Sequence, residues 1–434
     1  MRVFRVLNIS FITLLFAIAG LKCPLVSGVE ADSGPNIVLI LADDVGREVL
    51  GCYGGTSYAT PNLDRLASEG ARFQYAFSMP VCHPTRISLL TGRYPFRFSN
   101  TPWGTFPKAA ERQTIAHVLR NAGYATAIAG KWQLTLLENE PDHPHRLGFD
   151  EYSLFGWHEG PRYYRPLIWQ NGKVRDDVSN RYGPDVYCDF LIDFMNRNRR
   201  KPFFAFYSMA LSHDVTDDLE QPVPYGPRGR YDNYAEMVDE MDKRIGRIVS
   251  AIDSFDIAKK TLILFVSDNG TPKRTIIRAD DGKYIRYPII SKMGNMQIPG
   301  GKGDLTDWGT RIPAIARWPG RIQSGKIYES LMDFTDLLST FAELSGGTPP
   351  ATRLDGRSFA GLMTGGKYRP RSWVYAEQKG SHWIRTRDWK LYDDGRLFDM
   401  RNALSEEKKP VIQTSHPEQR DRLKEIMNRL RALP

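Results

Sequence analysis

The sequence predicts an α/β fold: a large, mostly parallel sheet sandwiched by helices, with a small C-terminal subdomain of antiparallel strands and one helix. Three observations predict it. Long apolar runs alternate with amphipathic segments up to about residue 345, and polar residues gather at the C-terminal ends of three of those runs. After that point short runs separated by turns replace the long ones.

In order along the chain, residues 36–41 are apolar after Asn36 and lead into Ala42-Asp43-Asp44. This suits a strand buried on both faces with acidic residues at its tip. Thr60-Pro61 opens a helix through Leu63, Leu66 and Ala67, with Thr60 expected as its cap and Pro61 in its first turn. Residues 115–121 form another helix, closed by Gly123, and residues 124–129 a short strand running into Gly130-Lys131-Trp132. A strand over 203–211 ends at Ser212-His213. A long amphipathic helix over 231–252 carries Met237, Met241, Ile245 and Ile248 at helical spacing, a core face. Residues 261–266 are the last clear buried strand and lead into Ser267-Asp268-Asn269. Sheets of this kind hold their sites at such strand tips. In the C-terminal part, residues 373–376, 381–386, 389–392 and 396–398 are expected as antiparallel strands, with Asp394-Gly395 as one turn, before a helix from about 417 to 433.

The 434 residues are 41% hydrophobic and 25% charged, which excludes a fibre, a disordered chain and a disulfide scaffold. Arg2 and Arg5 precede an uncharged, mostly apolar stretch over 6–21 and then small residues, the pattern of a signal peptide over 1–28. Its apolar core falls short of the ~20 residues of a spanning helix, so export without stable membrane insertion is expected, with a retained anchor as the alternative. Cleavage would remove Cys23 and leave Cys52, Cys82 and Cys188, an odd number in an oxidising compartment. It would also remove Arg2, Arg5 and Lys22, lowering the net charge by three from +9 to +6. A modest positive excess favours anionic substrates. Basic clusters interleaved with aromatics, the mark of nucleic-acid binding, are absent from the sequence, and residues 197–201 are expected as a solvated turn. The organisation predicted is a leader (1–28), a catalytic domain (35–345) and a C-terminal subdomain (346–434).

Asp43, Asp44, Asp268 and Asn269 stand at the tips of two apolar strands and offer only hard oxygen ligands. That donor set selects Ca2+ or Mg2+ over zinc, although Asp-Asp and Asp-Asn-Gly are also common turns. Cys82-His83-Pro84-Thr85-Arg86 begins a helix with Pro84 in its first turn and Gly92 as C-terminal cap. Cys82 then lies where the helix dipole favours an anion, one turn from the positive charge of Arg86. Alone, Cys-x-Pro is better read as a buried cysteine before an ordinary amphipathic helix.

Cys82-x-Pro84-x-Arg86 with Thr91-Gly92-Arg93 resembles the sulfatase signature, whose cysteine is oxidised after translation to formylglycine. The resemblance spans most of the chain through residues 36–44, Ala129-Gly130-Lys131-Trp132, Ser267-Asp268-Asn269-Gly270 and Gly301-Lys302-Gly303. It continues to Ile384-Arg385-Thr386-Arg387 and Leu397-Phe398-Asp399. It implies the large mixed sheet of the alkaline-phosphatase-like superfamily. It also implies that Asp43, Asp44, Asp268 and Asn269 bind calcium, ahead of magnesium, and that hydrated formylglycine at position 82 attacks sulfur. Arg86 would orient that group, Lys131 and Lys302 would neutralise the sulfate, and His213 would contact it and protonate the leaving alcohol. The sulfated form would then expel sulfate and return to the aldehyde. The partners implied are a sulfated carbohydrate or other sulfate ester and a formylglycine-generating maturation enzyme.

Three departures stand out. Gln133 replaces the histidine usual two residues after the motif lysine, and an amide cannot take a proton. Thr85 stands where serine is common, and Asp307-Trp308-Gly309-Thr310 where Glu-Gly-Gly is frequent. His143 and His145 flank Pro144 in an expected surface loop, and His117 is read as a packed or surface residue. Trp157-His158, the stretch 162–165 and Trp169 read equally as a sugar subsite or a structured insertion. Beside the sulfatase stand two other readings: a phosphonate monoester or phosphodiester hydrolase of the same superfamily, and a sulfated-glycan binding protein without turnover.

Overall fold

A strand without a polar face fits only where a sheet is covered on both sides, and Asn36–Ala42 is buried at every residue. The computed structural model describes residues 34–99, 101–214, 231, 233–280, 283–406, 410, 411 and 414–433, so the expected leader over 1–28 lies outside the described residues. In it Asn36–Ala42 (β1) is followed by Pro61–Glu69 (α1), Ala71–Phe77 (β2), Cys82–Thr91 (α2), Ile115–Asn121 (α3), Ala125–Lys131 (β3), His143–Arg146 (α4) and Glu151–Phe155 (β4). Next come Trp169–Gln170 (β5), Lys173–Val174 (β6), Gly183–Asn198 (α5), Phe203–Ser208 (β7), Tyr234–Ser254 (α6) and Thr261–Ser267 (β8). Two small hairpins follow, Arg274–Asp280 (β9) with Lys283–Pro288 (β10) and Ser291–Met293 (β11) with Met296–Ile298 (β12). Then come Asp307–Thr310 (α7), Arg311–Ile312 (β13), Ala314–Arg317 (β14), Lys326–Asp333 (β15), Asp336–Ser345 (α8) and Ala360–Thr364 (α9). The chain ends with Val374–Gln378 (β16), Ser381–Arg385 (β17), Trp389–Tyr392 (β18), Leu397–Asp399 (β19) and Pro417–Ala432 (α10).

The main sheet has eleven strands in the order β13-β2-β14-β8-β1-β7-β3-β4-β5-β6, with β15 pairing β2. Its centre, β8-β1-β7-β3-β4, is parallel throughout, and β13, β14, β5 and β6 pair antiparallel towards the edges. The two-residue period of β1 sends Val38, Ile40 and Ala42 into a core with side chains of α1, α5 and α6. Ile37, Leu39 and Leu41 enter the opposite core with side chains of α2, α3 and α8. The four C-terminal strands form their own antiparallel sheet. Trp383 and Tyr375 join it to Phe77 and Tyr94 of the main body, and Gly34–Pro434 make one compact unit.

The structure corrects several boundaries. Residues 261–266 do not end the main sheet, because β13, β14 and β15 still join it; the short β14 and the half-exposed β15 lack the long apolar run that marks the others. The strand expected over 124–129 continues to Lys131. Gly130 permits this, since its φ is +104° and a Cβ there would stand 1.9 Å from the Ser208 carbonyl oxygen. The strand expected over 203–211 stops at Ser208, and the long helix begins at Tyr234, capped by the Asn233 side chain. Among the described residues no helix is long and apolar enough to cross a membrane.

Thr60 precedes α1 without capping it, and its hydroxyl accepts the Gly51 N–H at 3.0 Å instead. Asp242 on α6 takes over, accepting the Asn62 and Leu63 backbone N–H groups at 3.0 and 2.9 Å and the Asn62 amide at 2.8 Å. Asp242→Ala is therefore expected to destabilise the protein by about 1–2 kcal/mol, read as a lower denaturation midpoint at unchanged slope.

Candidate active site

The tips of β1, β3, β7 and β8 lie side by side, so residues far apart in sequence meet beyond their C-terminal ends. Backbone bonds lace the tips together: Asp43 N–H donates to Leu211 O (3.0 Å), Ser212 N–H to Asp43 O (2.8 Å) and Asp268 N–H to Ala42 O (3.1 Å). Asp44 has φ +63°, sparsely populated by non-glycine residues, and is held there by its N–H to Asp268 Oδ1 (3.2 Å) and by Tyr234 OH to its carbonyl (2.8 Å). Cys82 is the first residue of α2 and Gly92, at φ +66°, ends it.

The nine residues singled out in the sequence assemble here. Lys131 Nζ lies 2.5 Å from Asp43 Oδ2, and Lys302 Nζ 2.7 Å from Asp44 Oδ2. Arg86 Nη2 is 3.9 Å from Asp43 Oδ2 and 3.7 Å from Asp268 Oδ2, while its Nη1 donates to Ser208 Oγ (2.5 Å) and Lys131 O (3.2 Å). Asn269 Nδ2 donates to Asp44 Oδ1 at 2.8 Å. His213 Nε2 stands 3.9 Å from Asp44 Oδ2, and its Nδ1 3.1 Å from Asp214 Oδ1. Asp43, Asp268, Asn269 and Lys131 are fully buried, and Cys82 is 1% exposed.

Burial raises the Asp43 carboxyl, but Lys131, His213, Arg86 and Lys302 outweigh it and hold the group below the usual carboxylate range. Asp268 goes the other way, raised by burial and by the charge of Asp43 beside it. Burial also raises the Cys82 thiol, opposed by Lys131 and Lys302. Burial raises Asp214 too, yet His213 outweighs it and keeps the carboxyl low.

A divalent cation fits this donor set. Asp43 Oδ1, Asp268 Oδ2 and Asn269 Oδ1 are buried oxygens without a hydrogen-bond partner, each on a residue expected as a ligand. Leaving such atoms unmatched is costly, and oxygens of this kind at the tips of two adjacent strands match a hard ion. Ligand atoms of Asp43, Cys82 and Asp268 lie within 4.8 Å of one another, as do those of Asp43, Asp44 and His213.

Gln133 is fully buried at φ +51°, and neither its amide oxygen nor its nitrogen has a partner. His143, expected at the surface, is instead 2% exposed and packed edge-on to Trp132; burial pushes its imidazole down to about 4. Among the described residues neither it nor His145 joins a group able to hold a metal. Arg162 is likewise buried, under the Phe155 ring, whereas Trp157 borders the site: its ring centre is 5.4 Å from Lys131 Nζ and 6.1 Å from the His213 ring. Asp307 serves a buried ion cluster with Arg385, Lys390 and Arg311.

Sequence reasoning missed Ser208, Asp214 and the purpose of Thr85. Thr85 Oγ1 donates near three carbonyls, those of Asp268 (2.8 Å), Val81 (3.0 Å) and Met79 (3.1 Å), tying α2 to β8. The signal for Ser208 was a lone serine at the end of an aromatic-rich strand, and for Asp214 its position next to His213.

A family model described as Sulfatase matches residues 35–347. The chain is 32% identical over 415 residues to the N-acetylgalactosamine-6-sulfatase of Canis lupus familiaris, covering 85% of this chain and 75% of that protein. It is 31% identical over 405 residues to arylsulfatase A of Homo sapiens, covering 85% and 76%. Among solved structures it resembles a sulfatase from Pseudoalteromonas sp. with a TM-score of 0.72 at 23% identity, over 92% of this chain and 90% of that one, a likeness of fold.

Proposed function

The chain belongs to the sulfatase family and has its alkaline-phosphatase-like fold, and from that premise we propose that it releases sulfate from sulfated saccharides. Formylglycine made from Cys82 is the nucleophile, and Asp43, Asp44, Asp268 and Asn269 hold a calcium ion. One observation carries the reading: Cys82, the first residue of α2, has its sulfur within 4.8 Å of carboxylate oxygens of Asp43 and Asp268, the same carboxylates that Arg86 and Lys131 approach. The relative named for N-acetylgalactosamine 6-sulfate supports the saccharide class.

Calcium supplies a Lewis acid for a sulfate oxygen, and the hydrated aldehyde supplies one hydroxyl for attack and a second for release. The chain's own residues do the rest. Lys131 and Lys302 offset the sulfate charge, and the N-terminal end of α2 favours an anion beside residue 82. Arg86, tethered by Ser208 and the Lys131 carbonyl, fixes the geometry of that charge. Asp214 accepts from His213 Nδ1 and leaves Nε2 towards Asp44, so that in the imidazolium form Nε2–H can pass its proton to the leaving oxygen. Gln133 takes no proton, so release relies on another group. Residues 1–28 direct export, 35–345 carry the chemistry and 346–434 form the supporting subdomain.

The test is sulfate release from p-nitrophenyl sulfate by protein co-expressed with a formylglycine-generating enzyme, with the aldehyde checked by mass spectrometry. Faster hydrolysis of an aryl phosphodiester would assign the chain to the phosphonate-ester branch instead. Binding of sulfated glycan without turnover of any ester, despite the aldehyde, would favour the non-catalytic reading that Gln133 motivates. Calcium removal supplies a second readout. Chelation is expected to lower the melting temperature and sulfate release together, and calcium at 100-fold over its Kd to restore about 2.7 kcal/mol. An unchanged melting temperature would remove calcium from the proposal.

A further inference from the structure

Two tryptophans continue outward from the charged site in a chain of ring contacts. Trp157 touches Lys131 and His213, with its ring centre 5.4 Å from the ammonium and 6.1 Å from the imidazole. Trp103 meets Trp157 edge-to-face at 6.0 Å and 66°, and leans on His83, the residue after Cys82, at 5.1 Å. His83 is buried and fixed, since its Nε2 lies 2.7 Å from the Thr105 carbonyl and burial holds its pKa low, making that nitrogen the donor. Trp103 thus rests on a rigid support yet is 49% exposed. A large exposed aromatic anchored beside a catalytic cleft is surface kept for a ligand.

Resting on the sulfatase reading above, we infer that Trp157 and Trp103 are two successive stacking positions for sugar rings. The sulfated residue of the substrate lies against Trp157 and the neighbouring residue of the same saccharide against Trp103. The electron-rich face of an indole complements the polarised axial C–H bonds of a pyranose. A flat aryl or steroid plate is best gripped between parallel faces, and these rings stand at 66°. Their spacing is comparable to the length of one pyranose unit, so the second position is filled only by an oligosaccharide. Trp103 is then a specificity-determining residue outside the sulfate pocket.

Trp103→Ala tests this with three probes: p-nitrophenyl sulfate, N-acetylgalactosamine 4- or 6-sulfate, and the matching chondroitin sulfate disaccharides. The disaccharide is expected to lose on the order of 3- to 10-fold in kcat/KM, through KM, with Trp103→Phe recovering most of it. The two smaller probes change less than about twofold. Disaccharide is also expected to quench the tryptophan fluorescence of the unaltered protein and less so that of Trp103→Ala, a readout that needs no turnover. Equal losses on all three probes would make Trp103 structural. No preference for disaccharide over monosaccharide in the unaltered protein, in rate or quenching, would remove the second position. Absence of sulfate release from all three probes with quenching intact would instead defeat the sulfatase reading and leave the stacking positions standing.

Discussion

Cys82→Ala, co-expressed with the maturation enzyme and assayed beside the unaltered protein, is expected to hydrolyse p-nitrophenyl sulfate on the order of 10⁴-fold more slowly or worse. The alanine takes away the attacking group while leaving Arg86, Lys131, Lys302 and the carboxylates in position, so what remains is electrostatic help to water. The protein should stay folded, because Cys82 is the first residue of α2 and its backbone, not its sulfur, starts the helix. Calcium-dependent melting should persist in this variant, which separates lost chemistry from a lost site. Cys82→Ser divides the mechanism further. A serine hydroxyl can attack sulfur once but has no second hydroxyl through which to expel sulfate, so one equivalent of alcohol and a covalent sulfate ester on residue 82 are expected. Steady turnover by either variant would show that residue 82 is not the nucleophile.

Asp307→Ala should be the most damaging substitution for stability. The carboxylate is fully buried and ion-paired with Arg385, and it lies 3.3 Å from Lys390 Nζ and 3.8 Å from Arg311 Nη1. Arg385 and Lys390 belong to the C-terminal sheet and Arg311 to the main one, so this carboxylate neutralises cations from both. Removing it leaves buried positive charge answered, among the described ion pairs, by Glu406 beside Lys390, a loss of about 3–5 kcal/mol. Burial raises the Asp307 carboxyl, but Arg385, Lys390 and Arg311 outweigh that and hold it below the ordinary carboxylate range. Its contribution is therefore complete above the unfolded carboxylate pKa and is lost as pH falls below it. Thermal melts at pH 7 and near pH 3 should find the variant far less stable at neutrality and closer to the unaltered protein in acid. An equal gap at both values would mean that the cluster contributes through packing alone.

Much of this was legible in the sequence because its signals are local. Apolar runs ending in polar residues marked β1, β7 and β8, and Asp43, Asp44, Asp268 and Asn269 stood out as hard-oxygen donors only in the company of the motif from Cys82 to Arg86. What escaped depends on partners distant in sequence. The cap of α1 comes from Asp242, 180 positions beyond Asn62, so no rule about neighbouring residues could find it. His143 was misjudged because two prolines and charged neighbours suggest solvent, whereas Trp132 from another segment covers it. Asp307, noted only as a departure from a loop pattern, gains its meaning from Arg385 and Lys390 nearly eighty or more positions later.

The burial of Cys82 has a consequence in time. With 1% of the residue reachable by solvent and its thiol raised by burial, the finished molecule offers no reactive sulfur to another enzyme. Any catalyst that alters this side chain has to meet residues 82–86 as an extended peptide, before α2 docks against the sheet. Strands β7 and β8, which complete the pocket around it, lie more than a hundred residues further along the chain, so a protein made from the N-terminus presents that peptide for a limited interval. Under the formylglycine proposal, conversion and folding would compete for the same segment, and the fraction of active molecules would be decided during synthesis.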